Sequence, residues 1–184
     1  MTDTLPEIAT IGSRIAYRNR WLQVREDEVQ RADGSRGIYG VVEKPDFAVI
    51  VPVEADGSLH LVEQYRYPVG GRYWELPQGA WEQAPEADPI NLARGELREE
   101  TGLVAGRMVH LGHLFLAAGF ANQGYHVFLA EDLTRTDTAL EVEEQGLVTR
   151  AFPRAEVIDM IRTGRIKDAT TVAALSLVDL HRPI

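Results

Sequence analysis

Hydrophobic and polar residues along this chain fall into short blocks of mixed period, which predicts strands and helices in alternation. Residues 37–67, GIYGVVEKPDFAVIVPVEADGSLHLVEQYRY, read as three strands. They are broken near Lys44-Pro45-Asp46 and at Asp56-Gly57, the second break being a hairpin signal. Upstream, residues 1 to about 12 read as loose chain, and residues 17–34 as strand-like pieces with a turn at Ala32-Asp33-Gly34. Trp74 to Leu76 form a short strand in this reading, and residues 109–117, 124–133 and 147–153 form three more. Residues 133–146 are polar and acidic and read as a loop. Two closing helices are expected near 154–163 and 170–182, split by Gly164 and Ile166-Lys167-Asp168. A central helix has the clearest punctuation: Asp88 as N-cap, Pro89 at the first helical position and Gly102 at C′.

These elements predict one α/β domain over residues 37–184, preceded by a strand-bearing N-terminal extension over residues 1–36. The chain has 184 residues, enough for one substantial core. Its formal net charge of -9 argues against a broad nucleic-acid surface, although a short RNA end can still enter a metal-lined cleft. With no cysteine, disulfides, thiolate metal sites and cysteine nucleophiles are excluded, and a reducing compartment such as the cytoplasm fits. The opening residues lack a basic stretch followed by an apolar run, so they do not read as a signal peptide. No apolar segment is long enough to span a bilayer.

The chemistry concentrates at the end of the central helix. Glu96, Glu99 and Glu100 stand within five residues, as i,i+3 and i,i+4 neighbours. Like charges so placed repel, and a hard divalent cation removes that cost. Glutamate-rich helix faces are also ordinary solvated surface. The context tips the reading: Leu92, Ala93 and Leu97 supply an inward stripe beside the acids, and the preceding LPQGAWE segment offers carbonyl oxygens.

The stretch from Gly79 to Leu103 resembles the signature of the Nudix hydrolases. Gly79 matches the opening glycine, and Glu96, Glu99, Glu100, Gly102 and Leu103 match the remainder. The resemblance implies an α/β/α sandwich with a mixed sheet and Mg²⁺-dependent hydrolysis of nucleoside diphosphates linked to another group, with Mn²⁺ as the alternative ion. It further implies that Glu96 and Glu100 hold the main metal, with Glu99 on it or on a second one, and that the carbonyl of Gln78 is also a ligand. The number of metals stays open. Two departures stand out. The spacing from Gly79 to Glu96 is two residues longer than the family's, so Glu82 and Glu86 compete for the loop-glutamate position. The family's arginine before the first helix glutamate is Gly95 here, with Arg94 and Arg98 as substitutes that face differently.

The flanks, over roughly residues 37 to 180, resemble the ADP-ribose pyrophosphatase branch. That likeness implies Arg66 as a grip on pyrophosphate and Glu144 as general base, with Glu141 and Glu143 as rivals in the same acidic loop. It implies stacking of the adenine on Trp21 and Tyr39, and a role for Gly119-Phe120 beside the substrate. The acid expected three positions after Phe120 is Gln123 here. A homodimer is expected, because the few N-terminal strands cannot bury their apolar faces alone. The partner set is then a nucleoside diphosphate sugar and a second copy, without a membrane or long nucleic acid. Two alternatives remain. The LPQG string is similar to that of Nudix enzymes acting on dinucleoside polyphosphates or RNA 5′-triphosphate ends. A non-catalytic nucleotide-sugar-binding module would carry Gly95 and the longer loop as its marks. His110, His113 and His126 lie on strands at mixed facing and read as surface or packed residues without ligand spacing.

Overall fold

A computed structural model of the chain describes residues 7–81, 84, 86–136 and 146–181. The chain divides into two compact units.

The first unit comprises the chain up to Pro45 together with Phe115–Gly124. Its strands β1 (Ile8–Arg18), β2 (Gln23–Arg31) and β3 (Arg36–Glu43) form an antiparallel sheet in the order β1-β2-β3. The segment expected to be loose therefore joins a strand from Ile8 onward. Its backbone pairs along β2, and its Gly, Ser and Arg residues conceal any alternation of polarity. The division expected at 36/37 falls at the start of β3, whose partner is β2, and the compact unit continues to Pro45. Backbone bonds from Val42 N–H to the Phe120 carbonyl and from Asn122 N–H to the Val42 carbonyl tie residues 115–124 to this sheet. Among its described residues, only Val29 is a fully buried apolar side chain, whereas Ile8, Ile11, Ile15, Tyr17, Trp21, Ile38, Tyr39 and Phe120 are exposed.

The second unit holds β4 (Phe47–Pro52), β5 (Leu59–Arg66), β6 (Gly71–Glu75), β7 (Gln78–Gly79), α1 (Pro89–Thr101), β8 (Leu103–Phe115), β9 (Gly124–Arg135), β10 (Val148–Phe152), α2 (Arg154–Arg162) and α3 (Ala169–His181). One sheet runs β7-β4-β9-β8 and is mixed, since β4 is parallel to β9 and antiparallel to β7. A second runs β10-β5-β6. Every residue of β4 is buried, as expected for a strand covered on both faces. Ala48 and Ile50 pack with Leu92, Ala93 and Leu97 of α1. Val49 and Val51 face the other way, into a core with Val157 and Met160 of α2 and Ala174 and Val178 of α3. Helices on both faces of a mixed sheet give the expected α/β/α arrangement. The β8 strand begins at Leu103, six residues before the segment read from the sequence, because Gly106 and Arg107 interrupt its apolar pattern. Among the described residues, no helix is long and apolar enough to cross a membrane.

Candidate active site

Helix α1 begins and ends where its punctuation predicts. The Asp88 carboxylate accepts a hydrogen bond from Ile90 N–H, and Gly102 sits at φ 66°, its N–H bonded to the Arg98 carbonyl. These ends set the rotation of the helix. With Leu92, Ala93 and Leu97 turned to the sheet, Glu96 and Glu100 lie along the margin of the same stripe, only 5% and 1% exposed. Glu99 is half-buried. Burying a carboxylate is costly unless something compensates its charge.

The compensation is visible at β7. Its two residues pair with β4, Gly79 opposite Ala48 and Gln78 opposite Val49. The Gln78 N–H donates to Glu100 Oε2 at 2.9 Å. The Glu96 carboxylate lies directly over Gly79, where a Cβ would overlap Glu96 Oε2. A glycine is therefore required by the approach of the acid rather than by its backbone angle. Two neighbouring residues of one short strand thus gather two buried carboxylates. This donor set, hard oxygens with net negative charge, fits a divalent cation of the Mg²⁺ type.

A further layer holds these groups in place. Gln78 Nε2 donates to Asp168 Oδ2 at 3.3 Å. The same oxygen accepts from the Thr171 N–H at 2.8 Å and hydroxyl at 2.7 Å, capping α3, and Thr171 Oγ1 in turn accepts from Leu76 N–H. Arg66 grips the buried Glu75 through Nε at 3.2 Å and Nη2 at 2.5 Å, and Gln64 adds a third bond. Burial pushes the Glu75 carboxyl above its ordinary range, with Arg66 pulling against it. Burial alone would lower the Arg66 pKa, but Glu75, Glu100 and Asp168 together hold it above its ordinary value. Arg66 is thus tied into the same acidic field as Glu100.

Gly95 also has a physical reason. A Cβ at this position would overlap Trp81 Cζ2, so the indole at the start of the lengthened loop occupies the space beside the helix. Arg94, a candidate substitute for the family's arginine, bonds the Ala105 carbonyl on β8 through Nη1 at 2.9 Å. Arg98 is exposed, as is Glu86. Glu82, Glu141, Glu143 and Glu144 lie outside the described residues.

Trp21, Tyr39 and Phe120 all belong to the first unit and are exposed. Trp21 lies in the turn between β1 and β2 rather than on a strand, held by the Asn19 side chain. The roles of Glu75 and Asp168 were missed in the sequence. Asp168 carried one usable signal, a capping acid ahead of a helix. The histidines are packed, as expected, with the rings of His110 and His113 both against His126 at 5.2 and 4.7 Å between centroids. The expectation of mixed facing without a ligand grouping is corrected, since His113 and His126 gather with Asp46.

Comparison with known proteins agrees with this geometry. The family model described as "NUDIX domain" matches residues 43–175, and that described as "Nucleoside diphosphate sugar hydrolase N-terminal domain" matches residues 8–42. An ADP-ribose pyrophosphatase of Mycobacterium tuberculosis is 31% identical over 173 residues, covering 94% of this chain and 83% of its own. An ADP-ribose pyrophosphatase of Bacillus subtilis is 26% identical, covering 97% and 96%. A crystal structure of an "ADP compounds hydrolase" superposes with a TM-score of 0.85 at 22% identity over the whole of both chains, which shows a shared fold.

Two substitutions separate the roles of the two glycines. Gly79→Ala collides with the movable end of a glutamate. It should leave thermal unfolding close to wild type while lowering kcat on the order of 100-fold through displacement of Glu96. Gly95→Arg meets a rigid ring instead and should cost about 1–3 kcal/mol by overpacking. Denaturant unfolding of Gly95→Arg in the Trp81→Ala background should show a smaller penalty. An equal penalty in both backgrounds would separate Gly95 from Trp81.

Proposed function

Because the chain belongs to the Nudix domain family, we propose that it hydrolyses the pyrophosphate linkage of ADP-ribose or a related nucleoside diphosphate sugar, giving a nucleoside monophosphate and a sugar phosphate. At the coarser level, the chain is a Nudix-type pyrophosphohydrolase of nucleoside-diphosphate-linked substrates. The observation that carries metal-dependent hydrolysis is the pair of buried carboxylates, Glu96 and Glu100, gathered at Gln78–Gly79. The finer substrate reading is supported by likeness to ADP-ribose pyrophosphatases.

In this reading, Glu96, Glu99, Glu100 and the Gln78 carbonyl would hold Mg²⁺, or Mn²⁺ in its place. The bound ion would neutralise phosphate oxygens and lower the pKa of a coordinated water. Arg66 would position the substrate: Glu75 engages its Nε and Nη2, and the guanidinium charge would draw a phosphate oxygen. Glu75 keeps the guanidinium in one orientation, so the grip is set before substrate arrives. Glu144, with Glu141 and Glu143 as its rivals in the same acidic stretch of sequence, would take the proton of the attacking water. The water oxygen forms a bond to one phosphorus as the bond from that phosphorus to the bridging oxygen breaks. With ADP-ribose the products are AMP and ribose 5-phosphate. Trp21, Tyr39 and Phe120 are the candidates for stacking on the base.

The alternative substrates inferred from LPQG, dinucleoside polyphosphates or RNA 5′-triphosphate ends, remain the second reading; the Gln78 Nε2 bond to Asp168 is compatible with either. We also propose a homodimer formed through the first unit. Its exposed Ile8, Ile11, Ile15, Tyr17 and Ile38 would be covered by a second copy.

With Mg²⁺ present, the purified protein should convert ADP-ribose to AMP and ribose 5-phosphate. An intact ADP-ribose pool beside rapid cleavage of a dinucleoside polyphosphate or of 5′-triphosphate RNA would overturn the substrate assignment. Glu100→Gln should lower kcat on the order of 100-fold or more in a folded protein, and near-normal kcat at saturating Mg²⁺ would remove Glu100 from the ligand set. Light scattering at micromolar concentration should give twice the chain mass of 20.5 kDa, and the single-chain mass would contradict the dimer.

A further inference from the structure

The second unit contains another cluster of ligand-type side chains, chemically unlike the glutamates. Asp46, His113 and His126 each present one ligand atom, and the three atoms lie within 4.8 Å of one another. His113 Nε2 is 2.8 Å from Asp46 Oδ2. The strand register explains the gathering. β4 and β9 run parallel with Ala48 opposite His126. Asp46 is two residues before Ala48 and so continues its face by the period of a strand. His113 comes from β8, the neighbour of β9 in the sheet. His110 and His113 are three residues apart and would point to opposite faces of a regular strand. Both rings nevertheless meet His126, so the alternation is interrupted between them, where Gly112 lies at φ 159°.

We propose that Asp46, His113 and His126 form a binding site for a borderline divalent transition metal of the Zn²⁺ class, separate from the glutamate site. Two imidazoles and one carboxylate suit Zn²⁺, Co²⁺ or Ni²⁺ and give little preference for Mg²⁺. Zn²⁺ needs ligand atoms at about 2.0–2.2 Å from the ion, so side-chain rotations would close this cluster around it. His110 supports the site from behind: its Nε2 lies 3.2 Å from His126 Nδ1, tying one ring nitrogen and orienting the ring. The Asp46 and His113 side chains are 42% and 34% exposed, which leaves room for water as a fourth ligand. Three protein ligands with an open position describe an accessible site rather than a closed structural one.

Equilibrium dialysis of the full chain against Zn²⁺ in excess Mg²⁺ tests this, because Mg²⁺ competes at the glutamates and not at the histidines. About one Zn²⁺ per chain should bind to wild type and to Glu96→Gln/Glu100→Gln. Asp46→Asn and His113→Asn/His126→Asn should weaken that binding at least 10-fold. Histidine proton NMR on the unsubstituted protein gives a readout that does not depend on how a variant folds. Zn²⁺ should move the ring signals of His113 and His126, and leave those of His60 and His181 in place. Zn²⁺ that binds equally in the histidine variants, that disappears with the glutamates, or that leaves the His113 and His126 signals unmoved would overturn the proposal.

Discussion

The burial of two carboxylates on one flank of α1 is the constraint that orders this molecule. Glu96 and Glu100 are as inaccessible as the leucines beside them. An uncompensated buried charge costs several kcal/mol. The N–H bond from Gln78 is one compensating contact, and a bound cation would add another. Around this pair the surrounding elements take their form. β7 is only two residues long, yet it is paired to the fully buried β4, so Gly79 and the Gln78 N–H are held on a rigid support. Asp168 and Thr171 bind that strand segment to the start of α3. The Arg66–Glu75 pair holds a guanidinium in the field of Glu100 and Asp168.

The same constraint explains why the longer loop and the missing arginine belong together. The loop between β7 and α1 brings Trp81 against the helix at Gly95. An arginine side chain and an indole cannot share that space. The chain has placed an aromatic ring where related sequences are expected to place a guanidinium, and Arg94 has turned to the Ala105 carbonyl. β7 and the packing of α1 are the contacts that hold Glu96 and Glu100 at Gln78–Gly79.

Much of this was legible in the sequence where the physics is local. The ends of α1 follow from Asp88, Pro89 and Gly102 because caps act over three or four residues. Its buried stripe follows from helical period alone. Less was legible where partners lie far apart in the chain. Gln78 meets Asp168 across 90 residues, and Leu76 meets Thr171 across 95. No local pattern encodes those bonds. β1 was concealed because its apolar residues do not alternate with polar ones and the strand is stabilised by its backbone ladder to β2, whereas sequence patterns report side chains. The histidines looked scattered because two of them share a face only through the interruption at Gly112, and because their carboxylate partner precedes a different strand.

Thermal unfolding of the wild type and of Glu96→Gln/Glu100→Gln, each titrated with Mg²⁺ after removal of metal, tests the central claim most directly. Ligand binding to the native state alone must stabilise it. Mg²⁺ should raise the melting temperature of the wild type and leave that of the double variant unchanged, with the metal-free variant at least as stable as the metal-free wild type through relief of carboxylate repulsion. An equal rise in both proteins would contradict the assignment of the cation to these two carboxylates.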